Sequence, residues 1–310
     1  MNVYYGHHKC ASTWIRGILE QIFRESGHRF SMVVDPMTPH ASGDLTDYRE
    51  TFSRMELSRY VTDRDIDFLS CITADAEHAT ALEGVRGFHV IRDPRDIIVS
   101  GYFSHRNSHP TDDLPHLEKH RTALQSVSKA EGLFLEMDFS ARCLQDIGGW
   151  DYDREEILEI KMEELTSRPY EGFIDIFEFL DLMSWDSAYR MQRKIQRFSR
   201  TAANRLAFRY PVLDGLRQPT KITGEMLLGR VYDHRFEKKT GGREKGEVNV
   251  NSHYRKGVAG DWVNHFSREH AEYFLDQFGE ILIQTGYEPD AAWVAACQDG
   301  RVAVPAGSDG

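Results

Sequence analysis

Val3-Tyr4-Tyr5-Gly6-His7-His8-Lys9-Cys10-Ala11-Ser12-Thr13-Trp14 places an apolar run, a loop entered through a glycine and the start of a periodic segment in immediate succession. Beyond Trp14, apolar residues return at Ile15, Ile18, Leu19, Ile22 and Phe23, which is helical spacing, and Gly27 stops the pattern. The stretch therefore reads strand, loop, helix. A loop in that position can cradle a phosphate with its backbone N–H groups and with the dipole of the helix it opens. Lys9 adds a mobile positive charge, and Ser12 and Thr13 add hydroxyl donors at the helix start. The second glycine and the Gly-Lys-Ser/Thr ending of a Walker loop are absent, which removes the main support for a magnesium-nucleotide reading. By itself the segment is also compatible with a plain turn whose Ser12 and Thr13 cap a helix.

Outward from this unit, strands and helices alternate. Strands are expected at Phe30–Val34, Asp67–Thr73, Gly87–Ile91 and Ile157–Met162. Helices follow Asp93-Pro94, where an N-cap precedes a proline at the first helical position, and cover Phe173, Ile176, Phe177 and Leu180. Ser267 caps a last helix with Ala271, Phe274, Leu275, Phe278 and Leu282 inward, ended by Gly286. This alternation predicts an α/β fold, a single domain over residues 1–290 with a central, mostly parallel sheet flanked by helices and a P-loop-like loop. Small and polar residues predict a loosely ordered tail within 291–310.

Two further segments carry chemistry. In Phe88-His89-Val90-Ile91-Arg92-Asp93-Pro94-Arg95-Asp96-Ile97-Ile98-Val99-Ser100, Arg92 leaves a buried strand at its carboxyl end, where ligands bind in α/β sheets, and Ser100 lies two turns into the next helix. An arginine fork with a hydroxyl suits a phosphate monoester, although an Arg–Asp brace would use the same residues. In His253-Tyr254-Arg255-Lys256-Gly257-Val258-Ala259-Gly260-Asp261-Trp262, adjacent cations followed by two glycines make a cationic loop that can fold over an anion, with Asp261 and Trp262 anchoring its far end.

Together and in this order, the three segments resemble the family of sulfotransferases that use 3′-phosphoadenosine-5′-phosphosulfate (PAPS). The opening loop resembles that family's Pro-Lys-x-Gly-Thr-Thr-Trp, with His8 in place of the proline, Ala11 of the glycine and Ser12 of the first threonine. The third segment matches Arg-Lys-Gly-x-x-Gly-Asp-Trp almost residue for residue. Ile160-Lys161-Met162-Glu163-Glu164-Leu165 resembles a strand ending in an Arg-Tyr-Glu-Asp-Leu-like run. The resemblance spans roughly residues 3–285, with poor matches over 36–80 and 185–230.

It implies in-line attack of an acceptor hydroxyl or amine on sulfur, releasing 3′,5′-adenosine diphosphate. Lys9 would stabilise charge on the leaving oxygen, and backbone amides of Ala11, Ser12, Thr13 and Trp14 with the two hydroxyls would hold the 5′-phosphate. Arg92, Ser100, Arg255, Lys256 and Gly257 would grip the 3′-phosphate. The base is expected at Asp35, at the end of the second strand, or at His78, because the Lys-Thr-His triplet of many relatives is missing from Leu69-Ser70-Cys71-Ile72-Thr73. The scheme requires no metal. His105 and His109, four apart, lack a third ligand or a neighbouring glutamate in the sequence, so a role at the acceptor mouth or a solvated helix end is expected for them. Trp14 is expected in the core, and Phe236 either there or against adenine. Residues 187–209 form a basic helical stretch (Arg190, Arg193, Lys194, Arg197, Arg200, Arg205, Arg209) with Met191, Ile195, Phe198 and Leu206 as its apolar stripe. The stretch is either a solvated face with that stripe buried or a dock for an anionic or carrier-linked acceptor.

Composition sets the outer bounds. The 310 residues are 40% hydrophobic and 28% charged, with a net charge of −11, which argues against a general nucleic-acid partner. Four scattered cysteines, no leader and no apolar stretch long enough to span a membrane make the cytoplasm the expected compartment. The competing functions are a small-molecule kinase of P-loop type and a non-catalytic module that binds PAPS or its product.

Overall fold

In the computed structural model, the described residues are 1–33, 54–112, 114–185, 191–298 and 301–302. In chain order the first elements are β1 (Asn2–Gly6), α1 (Ser12–Ser26), β2 (Phe30–Val33), α2 (Arg54–Asp63), β3 (Phe68–Cys71), α3 (Ala76–Ala81), β4 (Arg86–Ile91), α4 (Pro94–Asn107), α5 (Pro115–Ser126) and α6 (Lys129–Gly148). They continue with β5 (Ile157–Lys161), α7 (Met162–Ser167), α8 (Pro169–Phe179), β6 (Met183–Ser184), α9 (Met191–Arg209), β7 (Ile222–Thr223), α10 (Gly224–Asp233), α11 (Phe236–Lys239) and α12 (Arg268–Gln284). The chain falls into two compact units, Met1–Ile91 with Asp151–Gly241 and Arg92–Trp150 with Gly242–Gly310.

The first unit is an α/β structure around a five-stranded sheet of order β2-β3-β1-β4-β5, with every neighbouring pair parallel. Its strands are the apolar runs of the sequence: Val3, Tyr4 and Tyr5 are inaccessible, β3 is buried throughout, and β4 is buried from Gly87 to Ile91. Continuous burial is what a parallel sheet covered on both faces requires. Chain connections leave β1 toward β2 and β4 toward β5, in opposite directions, so the topological switch point lies at the carboxyl ends of β1 and β4.

Ile15, Ile18, Leu19, Ile22 and Phe23 of α1 face the sheet, where Phe23 packs on Phe30, Phe68 and Phe177. Gly27, at φ 81°, closes α1 by donating its N–H to the Phe23 carbonyl. Phe173, Ile176 and Phe177 of α8 and Leu227 and Val231 of α10 complete this core. α9 departs from the expected pattern. Its Phe198 is 77% exposed and Leu206 is half-exposed, while Asn204 and Ala207 are buried. The helix is held instead by polar contacts: Arg205 meets Glu25, and the Asn204 amide caps the Glu25 and Gln218 carbonyls. Arg190 lies outside the described residues, and so do the side chains of Met191, Arg193, Lys194 and Ile195.

The second unit is helical. α4 starts on an Asp93 cap with Pro94 in the first turn, α6 on a Ser128–Glu131 capping box, and α12 on Ser267. α6 packs on α4, α5 and α12. Within the stretch expected to be loosely ordered, Ala291–Ala296 form a 3-10 helix followed by a short strand, Cys297–Gln298, and Trp293, Val294 and Cys297 are buried. Among the described residues, no helix is long and apolar enough to cross a membrane.

Gly87 pairs with Val3 in the centre of the sheet, where an added Cβ would lie 2.5 Å from Val3 Cγ1 and 2.7 Å from its carbonyl oxygen. Gly87→Ala is therefore expected to cost about 1–3 kcal/mol, read as a lower urea midpoint at unchanged slope.

Candidate functional site

The loop after β1 lies in the first unit. It turns through two non-glycine residues at positive φ, Lys9 at 63° and Ala11 at 59°, and Ala11 is the N-cap of α1. Left-handed backbone at alanine costs roughly 1–2 kcal/mol, which explains why a glycine is the easier residue there. Alternation of this kind turns successive N–H groups inward and makes a concavity for an anion. The Ala11 side chain and Trp14 pack on the core, and the Trp14 indole donates to the His234 carbonyl at 2.9 Å. Lys9 and Ser12 are half-buried and Thr13 is exposed.

A buried polar chain supports this loop from behind. His7 Nε2 is 2.7 Å from His89 Nε2, and His89 Nδ1 is 2.6 Å from a Glu159 carboxylate oxygen. If Glu159 accepts from His89 Nδ1–H, then His89 Nε2 accepts from His7 Nε2–H, so each ring carries one proton. Burial lowers the His89 pKa to about 3 and also depresses that of His7, which the neighbouring His89 depresses further.

The residues expected at the 3′-phosphate all belong to the second unit, and a shared carboxylate gathers them. Asp96, inaccessible in the first turn of α4, accepts from the backbone N–H groups of Gly260 at 2.7 Å and Trp262 at 2.9 Å, and lies 3.6 Å from Arg92 Nη2. Burial raises its pKa, against the pull of Arg92. The glycine-bearing loop is thereby tied to the helix that follows Arg92. Gly257 and Gly260, at φ 70° and 73°, supply the left-handed backbone of its turn.

Asp261 anchors the far end, accepting from Arg255 at 2.6 Å, Lys256 at 2.5 Å and Asn264 at 3.0 Å, with His265 at 3.2 Å. Burial would raise the Asp261 pKa, but these donors outweigh it and hold the carboxyl far below the usual range. The Arg255 guanidinium also lies 4.6 Å from the Phe103 ring centre. Ser100 is half-buried, and its hydroxyl makes no hydrogen bond among the described residues. Arg95 has a bracing role: it grips Asp93 through two nitrogens, meets Glu288 at 2.6 Å and stacks on Trp262 and Trp293.

Asp35 lies outside the described residues, as does the side chain of His78, whose backbone is in α3. Phe236 is half-buried at the start of α11. Nothing in the sequence pattern points to the His7–His89–Glu159 chain, to Asp96 as the link between segments, or to His120 and Glu136 as partners of His105 in the second unit. Most of these partners are tens of residues apart, so only the fold pairs them.

No family model and no curated protein matches the chain. Among solved structures, the chain is similar to mouse sulfotransferase SULT7A1 complexed with PAP, at TM-score 0.47 and 14% identity over 91% of this chain and 84% of that one. It is also similar to retinol dehydratase in complex with androsterone and inactive cofactor PAP, at TM-score 0.44 and 14% identity over 91% and 80% of the two chains. Retinol dehydratase with retinol and PAP gives TM-score 0.38 and 13% identity over 91% and 81%. All three scores fall below 0.5, and the fold is defined by the five-stranded parallel order β2-β3-β1-β4-β5.

The depressed His89 and His7 values set a pH dependence. Neutral rings favour the folded state, so their contribution is intact above the unfolded histidine value near 6.5 and is lost as pH falls toward about 3. Thermal unfolding followed from pH 7.5 to 4 should show a falling midpoint below about pH 6.5, and His89→Gln should flatten that slope. An unchanged slope in the variant would remove the histidine pair as its cause.

Proposed function

We propose that the chain is a sulfotransferase that moves a sulfo group from PAPS to an acceptor hydroxyl or amine. The acceptor heteroatom attacks sulfur in line, its bond to sulfur forms as the bond to the bridging phosphate oxygen breaks, and 3′,5′-adenosine diphosphate leaves. The observation that carries this reading is the clustering of Arg92, Arg255 and Lys256 by two buried carboxylates in one unit. Asp96 ties Arg92 to the loop that carries Arg255 and Lys256, so cations from two separate segments are held through neighbouring carboxylates, and the loop turns on two left-handed glycines. A phosphate monoester fits such a set, because guanidinium and ammonium donors with backbone N–H groups match its oxygens.

In this reading Arg92, Ser100, Arg255, Lys256 and Gly257 take the 3′-phosphate. The backbone amides of Ala11, Ser12 and Thr13, with the Ser12 and Thr13 hydroxyls, take the 5′-phosphate, a role supported by the left-handed turns at Lys9 and Ala11, whereas the Trp14 N–H expected among them donates to the Ala11 carbonyl at 2.9 Å. Lys9 stabilises charge that grows on the bridging oxygen, an interaction stronger in the transition state than in the ground state. The acceptor's proton goes to Asp35, with His78 as the alternative base. Sulfo transfer by this route requires no metal, and the acceptor is a small molecule, a carbohydrate or a carrier-linked group. The proposed compartment is the cytoplasm, in keeping with four free cysteines.

The nucleotide assignment is tested by heat. At a hundredfold excess over its dissociation constant, 3′,5′-adenosine diphosphate should stabilise the protein by about 2.7 kcal/mol. ADP at the same concentration should do far less. Equal shifts with both would defeat the 3′-phosphate assignment.

Lys9→Ala should lower turnover about 100-fold while changing PAPS affinity little, because the charge is assigned to the leaving oxygen. Single-turnover transfer of labelled sulfo group, with binding measured separately, reads the two effects apart. Retained turnover with collapsed affinity would make Lys9 a binding residue, and absence of transfer by the wild type would favour a binding module.

A further inference from the structure

The second unit contains a histidine–carboxylate cluster that the sulfo-transfer reading does not use. Glu136, in α6, is completely inaccessible. His105 of α4 brings Nδ1 to 3.0 Å from both of its carboxylate oxygens, and His120 of α5 brings Nε2 to 2.9 Å from Oε2. Ser140 donates to Oε1 at 2.8 Å. The two ring nitrogens and the carboxylate oxygen all lie within 4.8 Å of one another.

Charge makes the cluster unusual. Among the described residues, Glu136 has ion-pairing partners only in the two imidazoles, and neither an arginine nor a lysine reaches it. With both rings neutral, the hydrogen bonds are satisfied but one negative charge stays buried, and burying an uncompensated carboxylate is expensive. The cluster is therefore short of one cation. Either an extra proton on a ring or a metal ion can supply it.

The surroundings hold the three ligands firmly. At Gly101 of α4 an added Cβ would sit 2.3 Å from Glu136 Oε1, so the glycine makes room for the carboxylate. Arg121 donates from Nε to the His105 carbonyl at 2.8 Å and from a second nitrogen to the His109 carbonyl, fixing the end of α4. Phe139 stacks on the His120 ring at 3.8 Å and 6°. Phe139 is itself 37% exposed, so the cluster is one ring away from solvent on that side.

We propose that His105, His120 and Glu136 form a binding site for a divalent first-row transition metal, with Glu136 ligating through one oxygen and Ser140 bonding the other. Two imidazoles with one carboxylate suit Zn²⁺ or Fe²⁺. Ligands at about 2.1 Å on adjacent positions of an octahedral ion are about 3.0 Å apart, and the spacings of His105 Nδ1 and His120 Nε2 from Oε2, 3.0 and 2.9 Å, match that edge. Ser140 plays the part of the outer hydrogen bond that orients a ligating carboxylate. The three ligands come from three helices, so a bound ion would tie α4, α5 and α6 together. This inference stands independently of the sulfo-transfer reading.

The test uses the full chain without a histidine tag. Elemental analysis of the purified protein should find about one equivalent of zinc or iron. After chelation, Co²⁺ should titrate to one equivalent with visible d–d bands, and Zn²⁺ should raise the unfolding midpoint. His120→Ala and Glu136→Gln should each weaken Co²⁺ binding by at least about tenfold, since even an outer-sphere partner is worth 10–100-fold. His116→Ala, an exposed histidine of α5, should leave binding unchanged. Should Glu136→Gln fail to fold, the wild type and His120→Ala decide. A folded wild type that holds no metal and titrates none overturns the proposal, as does undiminished Co²⁺ binding in His120→Ala. So does an imidazolium signal from His105 or His120 at neutral pH in excess Zn²⁺, because the missing cation is then a proton.

Discussion

A carboxylate in the first turn of α4 ties together the cationic segments of the second unit. Asp96 follows the Asp93 cap and Pro94, so its position is fixed as soon as the helix starts. There it meets the positive end of the helix dipole, two backbone N–H groups of a loop far along the chain, and Arg92. Without it, the N–H groups of Gly260 and Trp262 would lose their partner and Arg92 a carboxylate 3.6 Å away. Leaving a buried donor unsatisfied costs about 1–3 kcal/mol, so the loop has a strong reason to stay where it is. Asp261 then orients Arg255 and Lys256 from within the loop. Two carboxylates thus arrange three cations, and the arrangement keeps a net positive charge.

The same requirement governs the other buried polar groups. His7 and His89 are inaccessible yet polar, and each ring finds a partner in a chain that ends on Glu159. The consequence is local: His7 is part of the loop that carries Lys9, so holding its ring holds the loop's first residues. Glu136 is satisfied by His105, His120 and Ser140, which fixes the far end of α4 just as Asp96 fixes the near end. In each case a polar side chain is buried with enough partners to restrict it to one arrangement.

Much of this architecture is legible in the sequence because burial has a period. Val3–Tyr5, Leu69–Cys71 and Gly87–Ile91 are unbroken apolar or near-apolar runs, and they became the three central strands. Gly27 and Ser267 announced a helix end and a helix start through backbone chemistry that only a few residues can perform. The cationic segments announced themselves by adjacency, as in Arg255-Lys256-Gly257. Other features have no period to read. α9 exposes Phe198 and Leu206 because the helix is seated by Asn204 and Arg205 on the end of α1, polar contacts that apolar spacing does not reveal. Trp293 is buried because it covers Arg95, a pairing that composition could not foretell in a segment rich in small residues. Asp96 carries no mark of its partners in the sequence, because they lie at residues 260 and 262.

In a chain of net charge −11 the proposed anion site has to be made locally, and the pairing at Asp261 leaves its cations uncancelled. Among the described residues, the hydrogen bond from Arg255 to Asp261 uses Nη2 alone, and Lys256 gives Asp261 one of its three donors. The guanidinium retains Nε and Nη1, and the ammonium retains two N–H groups, for a second acceptor. A dianionic phosphate can therefore be bound without breaking either contact, and the carboxylate limits the side-chain entropy lost when it arrives. A singly charged or misplaced anion gains less from the same donors while meeting the same acidic surroundings. Under the proposed function, selectivity for a terminal monoester rests on these spare donors, while the carboxylates that orient them oppose an anion placed on their own side.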